Sequence, residues 1–139
     1  MSTSAQDFNQ QIIDEFRANG GEVGGPFAGA PVLLLHHQGA KSGQERLTPL
    51  VYLADDGHYV IFASKAGAPT NPHWYHNLRA NPDATIEVGT ETIAVRAEEV
   101  RGEERDRLFN ANAELRPNFA EYQKNTDRVI PVIRLTPQT

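Results

Sequence analysis

The sequence predicts an α+β protein that is mainly β, folded as a six-stranded antiparallel barrel with peripheral helices. Six short apolar or alternating segments are separated by turn residues such as Gly, Pro, Asn and Asp. The segments follow one another too closely for the crossover helices that parallel strands require. With 139 residues and no cysteine, the chain has the length of one domain with one core and carries no disulfide framework.

Residues 1–30 are expected to form a helix followed by a flexible linker or lid. Ser4 and Asp7 have the spacing of a capping box, and the helix ends at Gly20 and Gly21. Its apolar residues recur at helical spacing, at Phe8, Ile12, Ile13 and Phe16. The stretch 20–31 is rich in Gly, Pro and Ala, so no regular element is expected there. Residues 31–139 are then expected to form the barrel domain.

The first three strands are expected over 32–36, 46–53 and 58–63 as one meander. The second contains Pro49, which lacks an N–H and is therefore tolerated only at an edge or a bulge. Asp55-Asp56-Gly57 supplies the hairpin turn into the third strand.

A short helix is expected over 73–80, with Asn71 as its N-cap and Pro72 at its first position. Strands over 85–88 and 92–96 then form a hairpin across a Gly-containing turn.

The charged segment 102–115 has helical character, and Pro117 closes it. Its expected buried residues are Leu108, Phe109 and Leu115. Asn118 and Glu121 have the spacing of another capping box. The last strand is expected over 129–135, interrupted by a proline.

The charge is unevenly distributed along the chain. The net charge is −5, yet residues 23–82 carry four basic residues against three acidic ones, a balance of +1, and all five histidines. The negative net charge argues against nucleic acid as a partner, since such a partner needs a basic face, whereas the middle stretch suits an anionic ligand. No apolar run approaches the length of a membrane span and no signal peptide is apparent, so a cytoplasmic protein is expected.

Two loops combine glycine, lysine and serine. Gly39-Ala40-Lys41-Ser42-Gly43 joins two predicted strands, and such a loop can turn backbone N–H groups toward an anion. It is not a Walker loop, and an ordinary glycine-rich turn is the alternative. Ala63-Ser64-Lys65-Ala66-Gly67 ends the third strand, and a hairpin would return Lys65 toward Arg46. Either these cations converge on one ligand, or they are separate solvated charges.

Trp74, the only tryptophan, lies beside the N-terminus of the predicted helix 73–80. It is either a wall of a ring-binding pocket or a core anchor. No metal site is favoured, since His36 and His37 point to opposite faces of a strand and His73 and His76 lack a completing carboxylate pair.

Several segments in a fixed order give the chain a family resemblance. They are Gly39 to Gly43 with Arg46 and Pro49, Ala63 to Gly67, Asn71-Pro72-His73-Trp74-Tyr75 with Asn77-Leu78 and Ala80-Asn81-Pro82, and the late Tyr122-Gln123 and Thr126-Asp127-Arg128. Over about Leu33 to Pro131 the chain resembles the deazaflavin-dependent nitroreductases, flavin/deazaflavin oxidoreductases with a split β-barrel fold.

This resemblance implies binding sites for coenzyme F420. The loop residues Ala40, Lys41, Ser42 and Gly43, with Arg46, would hold its phosphate and acidic tail. The deazaflavin would be lined by Ala63, Ser64, Lys65, Ala66 and Gly67, with Pro49 near the ring and His73 and Trp74 closing the pocket. Phe119 and Tyr122, together with Trp74, are the candidates for the substrate pocket.

The implied activity is hydride transfer from reduced F420 to a small electrophilic acceptor, a quinone, a nitroaromatic compound or an activated alkene, with no catalytic side chain required. Membrane association is expected only if the acceptor is a quinone. Arg116 and Phe119 depart from the tyrosine-rich pattern of some family members, which weakens the expectation of nitroimidazole reduction. An FMN-binding split-barrel reductase and a non-catalytic F420 carrier are the alternatives. A monomer and a homodimer are both open.

Overall fold

A computed structural model describes residues 5–24 and 30–138 of the chain. These described residues form four α-helices, α1 (Ala5–Ala18), α2 (His73–Ala80), α3 (Gly102–Leu115) and α4 (Asn118–Lys124). Their seven strands are β1 (Val32–Gln38), β2 (Glu45–Val51), β3 (Leu53–Asp55), β4 (His58–Phe62), β5 (Asp83–Val88), β6 (Glu91–Val100) and β7 (Val132–Pro137). None of the described helices has the length and apolar character that crossing a bilayer requires.

The strands form one antiparallel sheet in the order β2-β1-β5-β6-β7-β4-β3. The two edge strands β2 and β3 are separated in sequence by Tyr52 alone, so the sheet must curl to bring its edges together. The predicted α+β barrel with peripheral helices is thereby confirmed as a half-barrel, with seven strands instead of six. Pro49 lies in the edge strand β2, as expected for a residue that cannot donate to a ladder.

Both pairings of the predicted meander are present, but its second strand is not continuous. That strand divides at Tyr52 into β2 and β3, which pair with β1 and β4 respectively and not with each other. A single apolar run thus supplies both edges of the sheet. The turn at Asp56 and Gly57 is a correct prediction, and both residues have positive φ, 49° and 79°.

Three buried clusters hold the elements together. The largest packs α2 against the sheet and includes Leu33, Ile61, Trp74, Ile86 and Leu135. A second lies beneath α3 and α4. The third joins α1 to the sheet through Ile13, Phe16, Val32 and Leu34, because the apolar face of the helix packs against β1 and β2.

Several local predictions change in the structure. Leu115 is 66% exposed at the last position of α3, three residues past Asn112, the last buried residue of that helix. β6 extends to Val100, and β7 begins at Val132, after Pro131. The capping predictions for Asn71 and Asn118 are wrong. The N-cap residues of α2 and α4 are Pro72 and Pro117, and no side-chain hydrogen bond caps the start of either helix. The predicted Ser4 cap and residues 25–29 of the linker lie outside the described residues.

Candidate functional site

The two glycine- and lysine-containing loops leave the same end of the sheet. In an antiparallel sheet, strands that lie two positions apart run in the same direction. β1 and β4 each lie two positions from β6, so all three strands run in the same direction. The loop after β1 (39–43) and the loop after β4 (63–67) therefore emerge together. The β3–β4 hairpin contributes to this arrangement, because β3 runs in the same direction as β2 and β4 returns to the end of the sheet where β2 begins.

The loop 39–43 forms one wall of a cavity of about 510 Å³, which we call the loop cavity. Its lining residues are Gly39, Ala40, Lys41, Ser42, Arg46, His73, His76 and Asn77. The loop is closed by two backbone bonds, from the amide of Gly39 to the carbonyl of Gln44 and from the amide of Gly43 to the carbonyl of Gly39, both 2.9 Å. A Cβ added to Gly39 would lie 2.5 Å from the Ser42 hydroxyl oxygen, so any other residue at this turn would have to displace that hydroxyl.

The loop cavity carries donors and positive charge. Among the described residues, the amides of Lys41 and Ser42 donate to no protein acceptor. Lys41 and Arg46 are both exposed, and neither forms an ion pair with a carboxylate in the described part of the chain. Free amides beside two cations at a glycine-rich turn suit an anion such as a phosphate group.

A second cavity of about 540 Å³ lies beneath α1, and we call it the helix cavity. Its lining includes Asn9, Gln10 and Ile13 of α1, residues 44–48 of β2 and its preceding turn, and Trp74. Arg46 and His73 line both cavities, so the two spaces meet at these side chains. Trp74 is 5% exposed and belongs to the main core cluster. It is therefore both a core anchor and a cavity wall.

A buried polar chain fixes the start of the loop 39–43. The Ala40 amide donates to Asn77 Oδ1 at 2.9 Å, which leaves Asn77 Nδ2 to donate to His37 Nδ1 at 2.9 Å. His37 is 5% exposed, and its Nε2 lies 3.0 Å from the Thr48 hydroxyl. Burial, with smaller effects from Arg46 and His36, lowers the pKa of His37 to about 4. A neutral ring with its proton on Nε2 satisfies every contact.

The remaining predicted residues line neither the loop cavity nor the helix cavity. Pro49 is buried opposite Leu34. Ala63 and Ser64 are buried, whereas Lys65 is exposed and its ammonium group donates to the Thr70 hydroxyl at 3.1 Å. Ala66 and Gly67 complete a single 3-10 turn with Lys65.

Phe119 and Tyr122 pack in the second core cluster with their ring centroids 5.4 Å apart. Phe119 also contacts the ring of Phe62 at a centroid distance of 5.7 Å. The Tyr122 hydroxyl accepts a hydrogen bond from the Asn118 side chain at 3.0 Å. Their packing is that of core residues.

Sequence reasoning missed two functional candidates at the loop cavity, His76 and Asn77, and the buried partner of Asn77, His37. The two α2 residues lie one position apart on the helix, and His76 lines the cavity while Asn77 also supports the loop. The available signal was the i, i+3 and i, i+4 spacing of His73, His76 and Asn77, which places them on one helix face.

Comparison with known proteins identifies relatives over most of the chain. The family model of the F420H2-dependent quinone reductases matches residues 9–137. An F420H2-dependent quinone reductase of Mycobacterium tuberculosis is 45% identical over 125 residues, which cover 87% of this chain and 84% of the relative.

Two solved structures share the fold. An F420H2-dependent reductase superposes with a TM-score of 0.70 at 40% identity and covers 76% of this chain and 93% of its own. A protein described as a domain-swapped dimer superposes with a TM-score of 0.72 at 35% identity, covering 95% of this chain and 99% of its own.

Proposed function

This chain belongs to the F420H2-dependent quinone reductase family, whose cofactor is coenzyme F420, and we propose that it reduces a small quinone with the cofactor bound across the loop and helix cavities. The observation that carries this proposal is the pair of adjoining cavities, one lined by cations and free amides and the other by Trp74. An anionic tail and a flat ring are the two chemistries that such a pair accommodates.

The residues of the loop cavity fit the phosphate and acidic tail of F420. Lys41 and Arg46 supply charge, and the amides of Lys41 and Ser42 supply donors that no described protein acceptor occupies. Gly39 carries no side chain at this turn, so the backbone can approach the ligand closely. His73, exposed at the start of α2, would close the pocket from the side opposite the loop.

F420 bound there in its reduced form would supply a hydride to the acceptor, and a proton from solvent or a pocket group would complete the reduction. The protein's contribution is to position both partners and to exclude water. Trp74 provides a fixed apolar wall, since it is anchored in the core. We propose that residues 1–30 act as the lid and 31–139 as the cofactor-binding domain, because Asn9, Gln10 and Ile13 of α1 cover the helix cavity. Residues 63–67 would line the deazaflavin from the same end of the sheet.

Anaerobic mixing with F420H2 and a panel of quinones, nitroaromatics and enones tests this function. The proposal expects cofactor oxidation with quinones. Binding without oxidation by any acceptor would establish a carrier instead, and a yellow flavin retained on purification with no response to F420 would establish an FMN enzyme.

The loop assignment has its own test. Lys41→Ala should raise the Kd of F420 about tenfold, the effect of losing one charge-assisted hydrogen bond. It should also flatten the dependence of Kd on salt. The matched control is Lys124→Ala, which removes the same charge from a side chain that is 72% exposed on α4 and lines neither cavity. Equal Kd values for the two variants would remove Lys41 from the site.

A further inference from the structure

The guanidinium of Arg128 is inserted into the segment that connects β4 to α2. Its Nε donates to the Ala68 carbonyl at 2.9 Å, and its Nη2 donates to the Ser64 carbonyl at 2.6 Å. Its Nη1 donates to the Ala63 carbonyl at 2.9 Å and to Asn71 Oδ1 at 2.8 Å. Four of the five N–H donors of one side chain are thus used on residues 63–71.

The shape of this segment depends on a planar cation. The carbonyl oxygens of Ala63, Ser64 and Ala68 converge on one point, where they would repel one another without a shared donor. Arg128 also takes the side chain of Asn71, which explains why that residue does not cap α2. A lysine ammonium at the same place has only three donors on one atom and cannot reproduce this fan.

Arg128 is itself fixed from behind. Its carbonyl accepts a hydrogen bond of 2.7 Å from Gln123 Nε2, and its amide donates to the Thr126 hydroxyl at 3.3 Å. On the other side of the segment, Gly67 lies so close to α4 that an added Cβ would be 2.7 Å from the Tyr122 carbonyl oxygen. The segment 63–71 is therefore held between Arg128 and α4.

We propose that Arg128 is a positioning residue, which holds the segment 63–71, and through it His73 and Trp74 at the start of α2, in the conformation that receives F420, without touching the cofactor. This inference rests on the proposed function. The late Thr126-Asp127-Arg128 motif acquires a physical role, since its arginine connects the last third of the chain to the cofactor end of the sheet.

The test uses Arg128→Lys, Arg128→Met and, as a control, Arg134→Met, which removes another half-buried arginine that bonds to Glu104 on the α3 side. Each variant is compared for melting temperature, for the Kd of F420 over a salt series, and for hydrogen exchange of amides 64–71 in the cofactor-free protein. Both Arg128 variants should raise the Kd about tenfold or more, because a smaller fraction of molecules holds the competent loop. The amides should exchange faster, and the slope of log Kd against log salt should stay that of the wild type.

Several results would overturn the inference. If Arg128→Lys kept the wild-type Kd of F420 and the wild-type hydrogen exchange of amides 64–71, a positive charge alone would be enough to hold the segment. If the slope of log Kd against log salt fell to that of Lys41→Ala, Arg128 would be a direct ligand of the anionic part of F420. If Arg128→Met does not fold, Arg128→Lys, which keeps the charge, carries the test. Failure of the wild type to bind F420 would refute the proposed function instead, while exchange in the cofactor-free variants would still decide whether Arg128 holds the segment.

Discussion

Replacing His37 with asparagine should remove a defined part of the pH dependence of folding. Asn77 must donate to His37 Nδ1, because the Asn77 oxygen already accepts from the Ala40 amide. A protonated His37 would set an N–H against that donor. Burial acts in the same direction, and the pKa of His37 is about 4 in the folded protein against 6.5 as the ordinary value. Asparagine keeps an acceptor near Nδ1 but does not titrate.

The size and sign follow from proton linkage. Between pH 6.5 and about 4 the unfolded chain binds a proton at His37 that the folded chain does not, so stability falls as the pH falls. One pKa unit corresponds to about 1.4 kcal/mol, and the whole shift to roughly 3.5 kcal/mol at most. The stability is fully present above pH 6.5, and the loss ends below pH 4.

Urea unfolding of the wild type and His37→Asn from about pH 4 to pH 8 measures this effect. The other histidines, including His36 between Glu45 and Glu87, occur in both proteins and largely cancel in the difference. The wild type's advantage should shrink by about 1.4 kcal/mol per pH unit below pH 6.5. The His37 ring resonances should titrate near pH 4 in the wild type. Parallel stability curves, or a ring that titrates near its ordinary value, would refute the reasoning.

Three further substitutions probe the loops and the docked helix. Gly39→Ala should weaken F420 binding several-fold. It should change the free energy of unfolding by less than about 1 kcal/mol, since its Cβ would displace only the Ser42 hydroxyl. Unchanged affinity for F420 in a fluorescence titration would contradict this prediction. Gly67→Ala should destabilise the fold by about 2 kcal/mol or more, because the φ of Gly67 is +81° and its Cβ would meet the Tyr122 backbone. An unchanged free energy of unfolding in urea would show that the segment can shift to accept the methyl group. Phe16→Ala should cost about 3–5 kcal/mol in the same assay, since Phe16 is 1% exposed, and a smaller loss would mean that α1 is weakly docked.

Sequence alone determined the local elements, because these follow from short-range periodicity and turn chemistry. Helices α2 and α3 begin and end where Pro and Gly predict, and the hairpin at Gly57 follows from its turn residues. The loop 39–43 was identified as an anion-binding candidate because glycine, lysine and serine have the required chemistry wherever they are placed.

Only the tertiary structure decided which elements meet. The alternation of apolar and polar residues along a strand does not depend on which strand it pairs with. The sequence therefore did not predict the division at Tyr52, which places β2 and β3 at opposite edges of the sheet. Long-range hydrogen bonds likewise made Asn71 a partner of Arg128 and Asn77 a support for the loop at Ala40. An asparagine in isolation offers the same amide to a helix cap, a distant guanidinium or a loop amide. The fold alone brings one of these partners within reach.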